Sequence, residues 1–214
     1  LTLPKGMVYG SNVDWLSQHA ALAGTIRDAC REQGTLLPQV LPLGGGVNGF
    51  QFSYYGYLRP DILIGCLLPE IPMYRILIAY MCVGYLASVL LFDLFLRREL
   101  KNDAAALLGS VLFLCATCFF HTHRQVMFIN YMPFFLSSLL ILQSRCALLA
   151  EQHRRVGLAA VFLAVAYCNS FYYSIAMLAA VGWYSYRREG KKFWRGYLVT
   201  AAGSVGLAAI LLVP

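Results

Sequence analysis

Polar, glycine and aromatic positions dominate residues 1–72, whereas residues 73–214 alternate apolar runs with short charged stretches. Within the first region, Ser11 to Asp14 reads S-x-x-D just ahead of an apolar-periodic run, a capping-box-like start in which Asp replaces the usual Glu or Gln. The pattern predicts a helix from there to about Gln33, ended by Gly34. At about 100° per residue, Trp15, Leu16, His19, Leu22, Ala23, Ile26 and Cys30 share one side of it. Asp14, Gln18, Thr25, Asp28 and Glu32 share the other, with Arg27 and Arg31 at the margin. That division predicts an amphipathic helix lying in a membrane interface rather than crossing it.

Two prolines in residues 36–43 lead into Gly44, Gly45, Gly46 and Asn48, a backbone free to take positive φ. The lysine and the strand-helix setting of a phosphate loop are missing, so a plain turn is the favoured reading. Phe50, Phe52, Tyr54, Tyr55 and Tyr57 suit the level of lipid headgroups, and Arg59, Pro60 and Asp61 close the region.

Residues 73–96 are long and apolar enough to span, since about 20 residues cross the hydrocarbon core. They end at Arg97, Arg98 and Lys101, where Asp93 and Arg97 form an i,i+4 pair. Residues 104–120 are expected to return outward, reaching His121, Thr122, His123 and Arg124; residues 125–133 to turn; and residues 134–142 to head back to Arg145, Arg154 and Arg155. Residues 156–186 pose a problem of length. As one helix they would put Arg187, Arg188, Lys191, Lys192 and Arg195 on the outer face. As two they reach only ~46 Å, against the ~60 Å that two crossings of a ~30 Å core require. Short or re-entrant helices turning at Asn169, Ser170 and Phe171 resolve the conflict, with the polar apex lining a cavity or buried in protein. Residues 196–214 begin another outward helix.

Composition strengthens the membrane reading: 59% of the chain is hydrophobic, 13% is charged, and the mean hydropathy is +0.62. A net charge of +7 raises nucleic acid as a partner, but eleven of the seventeen Lys and Arg fall in the three clusters between apolar runs. Positive charge so placed reports topology, so membrane lipids are expected as partners and nucleic acid is not. Leu1 is not an initiator Met and the chain stops just after an apolar run, so it reads as a piece of a longer protein. Seven cysteines is an odd number. Cys115 and Cys118 make a C-x-x-C without a second pair or a βαβ setting, which leaves burial as the favoured role. The topology gathers Asp14, Arg59, His121, His123, Arg124 and the Asn169 apex on one outer face.

Asp14-x-x-x-Gln18 with the amphipathic helix, then Leu43-Gly44-Gly45-Gly46 with Asn48, Tyr54-Tyr55 and Pro60, resembles the first outer loop of the YfhO family of bacterial polytopic membrane proteins. The likeness continues through residues 127–133 (MFINYMP) and 169–173 (NSFYY). It implies an all-α polytopic transmembrane bundle, GT-C-like, with a long outer loop (residues 1–72) and a helix bundle (residues 73–214). It also implies a bacterial plasma-membrane glycosyltransferase that takes sugar from a polyprenyl-phosphate carrier and passes it to a cell-envelope acceptor outside. In that superfamily a first-loop acid is central to catalysis, and Asp14 is the matching position. His19 departs from the family pattern, where an aromatic is common, and His121-x-His123-Arg124 does not map onto it.

The chemistry fits one carboxylate. A phosphate leaves as a stabilised anion and needs positive charge or a metal more than a proton donor. Asp14 is then the base for the acceptor hydroxyl, or the holder of a divalent cation such as Mg or Mn. Gln18, Arg59, His121, His123, Arg124 and Asn169 are the candidate substrate contacts, the cations among them steadying the phosphate. The bland alternative makes Asp14 a helix cap worth ~1 kcal/mol. His121 and His123 lie about 200° apart on a helix, so joint ligation demands a loop, and helix-end polar residues are the commoner case. A lipid headgroup would explain Arg124. Rival functions are a lipid or small-solute transporter without chemistry, or a structural subunit of an envelope-building complex.

Overall fold

The computed structural model describes residues 15–55, 57–116, 122–144 and 149–212. Among them are eight α-helices: α1 (Ala21–Gln33), α2 (Pro60–Leu67), α3 (Met73–Leu100), α4 (Asp103–Leu114), α5 (Thr122–Gln143), α6 (Leu149–Asn169), α7 (Ser174–Glu189) and α8 (Trp194–Leu212). Two two-residue strands, β1 (Val40–Leu41) and β2 (Val47–Asn48), pair antiparallel as a small hairpin. Its tip is the glycine triplet, with φ of 53°, 94° and 106° at Gly44, Gly45 and Gly46, so the plain turn is what the sequence builds there.

The first helix ends as its sequence predicts, with Gly34 at φ 64° closing the cap. Its beginning is a wider π-helical turn, Trp15–Ala20. Trp15, His19, Ala23, Ile26, Ala29 and Cys30 are all buried. All but His19 form a hydrophobic core with Leu41, Tyr57, Ile62, Met73, Ile76, Leu77 and Met81. The apolar stripe expected to lie on lipid is therefore spent on α2, α3 and the hairpin, and the helix is the centre of a folded cap.

Helix α3 is the one described helix long and apolar enough to cross a membrane. It runs 28 residues, to a left-handed cap at Lys101 (φ 50°), and Asn102 starts α4 by accepting a hydrogen bond from the Ala105 amide at 3.1 Å. Helix α4 is shorter than expected. Its 12 residues reach ~18 Å, and the Tyr85 hydroxyl, halfway along α3, donates to its last carbonyl at Leu114 (2.7 Å). The expected turn at residues 125–133 is instead helical, because α5 runs unbroken through Pro133. A proline removes only one rung of a helix whose other rungs remain.

The awkward segment does turn at Asn169: α6 stops there, a 3₁₀ turn spans Phe171–Tyr173, and α7 follows. The length conflict disappears because both helices extend into charged residues, α6 back past Arg154 and α7 on to Glu189. Long basic side chains keep their charge at the rim while the backbone stays helical.

Helices pack where small residues let them. A Cβ at Gly203 on α8 would stand 3.3 Å from the Ala160 methyl on α6. Buried serines return their hydroxyls to their own helix, as Ser88 does to Gly84 (2.6 Å) and Ser110 to Ala106 (2.9 Å). Outward positions remain apolar, including Val83, Leu86 and Leu90 on α3 and Leu108 and Leu112 on α4.

Three contacts settle the direction of the bundle. Gln143, ending α5, donates to Glu99 on α3 (2.7 Å); the Tyr184 hydroxyl of α7 donates to the same carboxylate (2.6 Å); and Arg155 of α6 pairs with Glu189 of α7 (3.5 Å). The ends bearing Arg97, Arg155 and Arg188 thus lie together. The start of α3, the start of α5 and the end of α6 lie at the opposite end, under the cap.

Candidate functional site

The cap meets the bundle through two short segments. The Trp15–Ala20 turn touches α3 and α5, and the 3₁₀ helix Gly49–Tyr55 touches α6 and α8. Cys168, beside the α6 terminus, packs against the cap's core. Gln18 and Asn169 lie on elements that form this junction. Gln18 is half-buried in the first turn of the junction. His123 and Arg124 fall in the first turn of α5, whose side chains there lie outside the described structure. Asp14 and His121 lie outside the described residues.

Arg59 has a place other than the one expected. It sits at the N-cap of α2, where Pro60 supplies the preset φ of a first helical residue. Its guanidinium meets the Asp61 carboxylate in two parallel bonds, Nε to Oδ1 at 2.6 Å and Nη2 to Oδ2 at 2.7 Å, and both side chains are buried. Asp61 Oδ1 also accepts from the Ile62 amide at 3.0 Å. A cation engaged by a carboxylate this closely has little charge left for a carrier phosphate. Arg59, expected among the substrate contacts, is thus buried and ion-paired with Asp61 inside the cap.

The backbone ahead of it is constrained to match. Leu58 takes φ 57°, uncommon for a residue with a side chain, and is held between the Arg59 pair and buried Tyr57. The Tyr57 hydroxyl donates to the Pro38 carbonyl at 2.5 Å. Gly49 passes so close that a Cβ would collide with both of those atoms. Burial, with the Cys30 thiol nearby, raises the Tyr57 phenol from its ordinary value to about 12.

Asn169 is where the turn was expected, and it is buried. Its Nδ2 donates to the Val165 carbonyl (2.8 Å), while its Oδ1 and the adjacent Ser170 Oγ find no partner among the described residues. Asn130 on α5, not singled out from the sequence, is 1% exposed, and neither of its amide atoms has a partner among the described residues. Its signal was a lone amide in the apolar stretch FINYMP. Tyr131 beside it stacks on Tyr173 of the turn after Asn169, with ring centroids 5.3 Å apart. Unsatisfied amides at such depth cost ~1–3 kcal/mol each and are kept where something polar meets them.

No group of three His, Cys, Asp or Glu among the described residues is placed to hold a metal ion. Asp14, the expected ligand, lies outside them. No family model matches the chain, and no curated protein or solved structure matches it.

Proposed function

We propose that this chain is the part of a multi-pass plasma-membrane glycosyltransferase that binds a polyprenyl-phosphate sugar at its extracytoplasmic end. One observation carries the proposal: the turn that directly follows Asp14 is seated on α3 and α5, at the end of the bundle opposite the basic clusters. By the positive-inside bias that end faces outward, where a lipid-linked donor presents its headgroup. In the reaction the acceptor hydroxyl attacks the anomeric carbon and gives its proton to the Asp14 carboxylate. The bond from that carbon to the phosphate oxygen breaks, and the carrier leaves as a phosphate anion. Arg124 is the cation for that anion, since Arg59 is engaged within the cap. Asn130, Asn169 and Ser170 offer the amide and hydroxyl groups that pair with sugar hydroxyls.

Membranes containing the full-length protein, incubated with a labelled polyprenyl-phosphate sugar, test the proposal. A new glycosylated product supports it. Movement of the label across the bilayer without a product identifies a transporter, and neither result identifies a structural subunit; both overturn it.

A further inference from the structure

Beside the hairpin of the cap lies a cleft of about 510 Å³, within the ~300–1,000 Å³ of small-molecule sites. Gln39 and Val40, Val47 and Asn48 of β2, and Phe50 of the following 3₁₀ helix line it, together with Gly45 and Gly46 of the turn. With φ of 94° and 106° those two positions require glycine, so bare backbone forms part of the wall. The remaining groups are held in place before any ligand arrives. The Gln33 side chain donates to the Val40 carbonyl at 2.6 Å and accepts from the Gln39 amide at 3.1 Å, and the Gln39 carbonyl accepts from the Gly49 amide at 2.7 Å. The Gln39 backbone is thus bonded on both sides while its side chain is exposed. Asn48 Oδ1 accepts from the Phe50 amide at 3.0 Å, which leaves its Nδ2 as the group to donate. Phe50 stands edge-on to Tyr57, with ring centroids 5.8 Å apart.

None of the seven lining residues carries a charge, so a phosphate or carboxylate finds no counter-charge among them. The wall combines two side-chain amides with apolar surface from Val40, Val47 and Phe50. A sugar ring matches both: its hydroxyls pair with amides, and its C–H face packs on an aromatic or aliphatic side chain. We propose that this cleft binds a neutral saccharide. Resting on the glycosyltransferase reading, the proposal makes that saccharide the acceptor, a neutral glycan of the envelope, held apart from the anionic donor. The 3₁₀ helix that carries Phe50 is the segment that touches α6 and α8, so the cleft adjoins the junction where the donor is placed. Because its amides and backbone are already bonded, little ordering entropy is lost on binding.

The test titrates the full-length protein in lipid nanodiscs, without donor lipid, with fluorescently labelled trisaccharides of glucose, galactose and N-acetylglucosamine, and with labelled trialanine as a peptide probe. The expected result is saturable binding of at least one trisaccharide at millimolar concentration or below. Gln39→Ala should weaken it about tenfold, the loss of one hydrogen bond, and Val40→Arg, which sets a long charged side chain on the apolar wall, should weaken it at least as much. Both positions are exposed, so both variants should unfold at the temperature of the original chain. Absence of saturable trisaccharide binding overturns the proposal, as does unchanged affinity in either variant or equal affinity for trialanine. Binding is read without a donor, so a chain that holds the trisaccharide but forms no glycosylated product refutes the transferase and leaves the saccharide site standing.

Discussion

Arg59 and Asp61 lie side by side with two hydrogen bonds between them, at 2.6 and 2.7 Å, and almost no surface open to water. A buried pair is costly to break from one side because the survivor keeps its charge without its partner. Arg59→Ala is therefore expected to destabilise the cap by ~3–5 kcal/mol, and Asp61→Ala by a similar amount. Arg59→Met with Asp61→Leu removes both charges and is expected to cost less than either single change. Thermal unfolding in detergent measures all three, and a double variant as unstable as the sum of the singles would show that the pair is not coupled.

Gly49 is fixed by its surroundings. With the Tyr57 hydroxyl and the Pro38 carbonyl both in the path of a Cβ, Gly49→Ala is expected to cost ~1–3 kcal/mol through overpacking. Tyr57→Phe clears one obstacle but leaves the Pro38 carbonyl in place and without its donor. The double variant should be no more stable than Gly49→Ala alone, as limited proteolysis of the cap would report.

Alkaline pH acts on the same residues. The Tyr57 phenol is held protonated in the fold, its value raised from 10.0 to about 12, and Cys30 is raised from 9.0 to about 12. Below pH 9 both groups are protonated whether the chain is folded or not, and their contribution to stability is whole. As pH climbs from there to 12 the unfolded chain gives up its protons first, so stability falls. Cys30→Ser should delay the onset of that fall, and Tyr57→Phe should flatten it above pH 10. Unfolding midpoints measured along a pH series check both slopes.

Local signals explain how much of this architecture was legible in the sequence. Gly34 ends a helix because only a left-handed residue can close that cap, and Asn169 marks the α6–α7 turn because the length of the apolar run left no other resolution. Tertiary competition explains what was not. The stripe from Trp15 to Cys30 is amphipathic whether its partner is lipid or protein, and periodicity cannot tell a bilayer from α2 and α3. Pro133 reads as a breaker, yet neighbours on α3 and α6 hold the helix together around it. Arg59 looked like a cation awaiting an anion, although its counter-charge stood two residues away in the same line of sequence.

Asp14→Asn separates capping from catalysis. Asn caps a helix as well as Asp does, so the substitution should leave the fold of the cap and the yield of inserted protein unchanged. On the proposed mechanism it removes the base, and sugar transfer should then fall by at least ~100-fold, the lower range for general-base catalysis. An Asn variant that transfers sugar at the original rate would return Asp14 to the role of a cap.

Asn130 offers the sharpest distinction between a structural polar residue and one reserved for a ligand. In a helix core, a buried amide with partners is lost at a cost, whereas one without partners is better replaced by a carbon side chain of the same size. Asn130→Leu should therefore unfold at the same temperature as the original chain or higher. If Asn130 pairs with sugar hydroxyls, the same substitution should weaken donor use about tenfold, equivalent to one lost hydrogen bond of ~1.4 kcal/mol. A stable variant with impaired transfer requires a ligand for that amide. A stable variant with unchanged transfer would leave Asn130 without a part in the reaction, and would move the donor's polar contacts to the Asn169–Ser170 side of the junction.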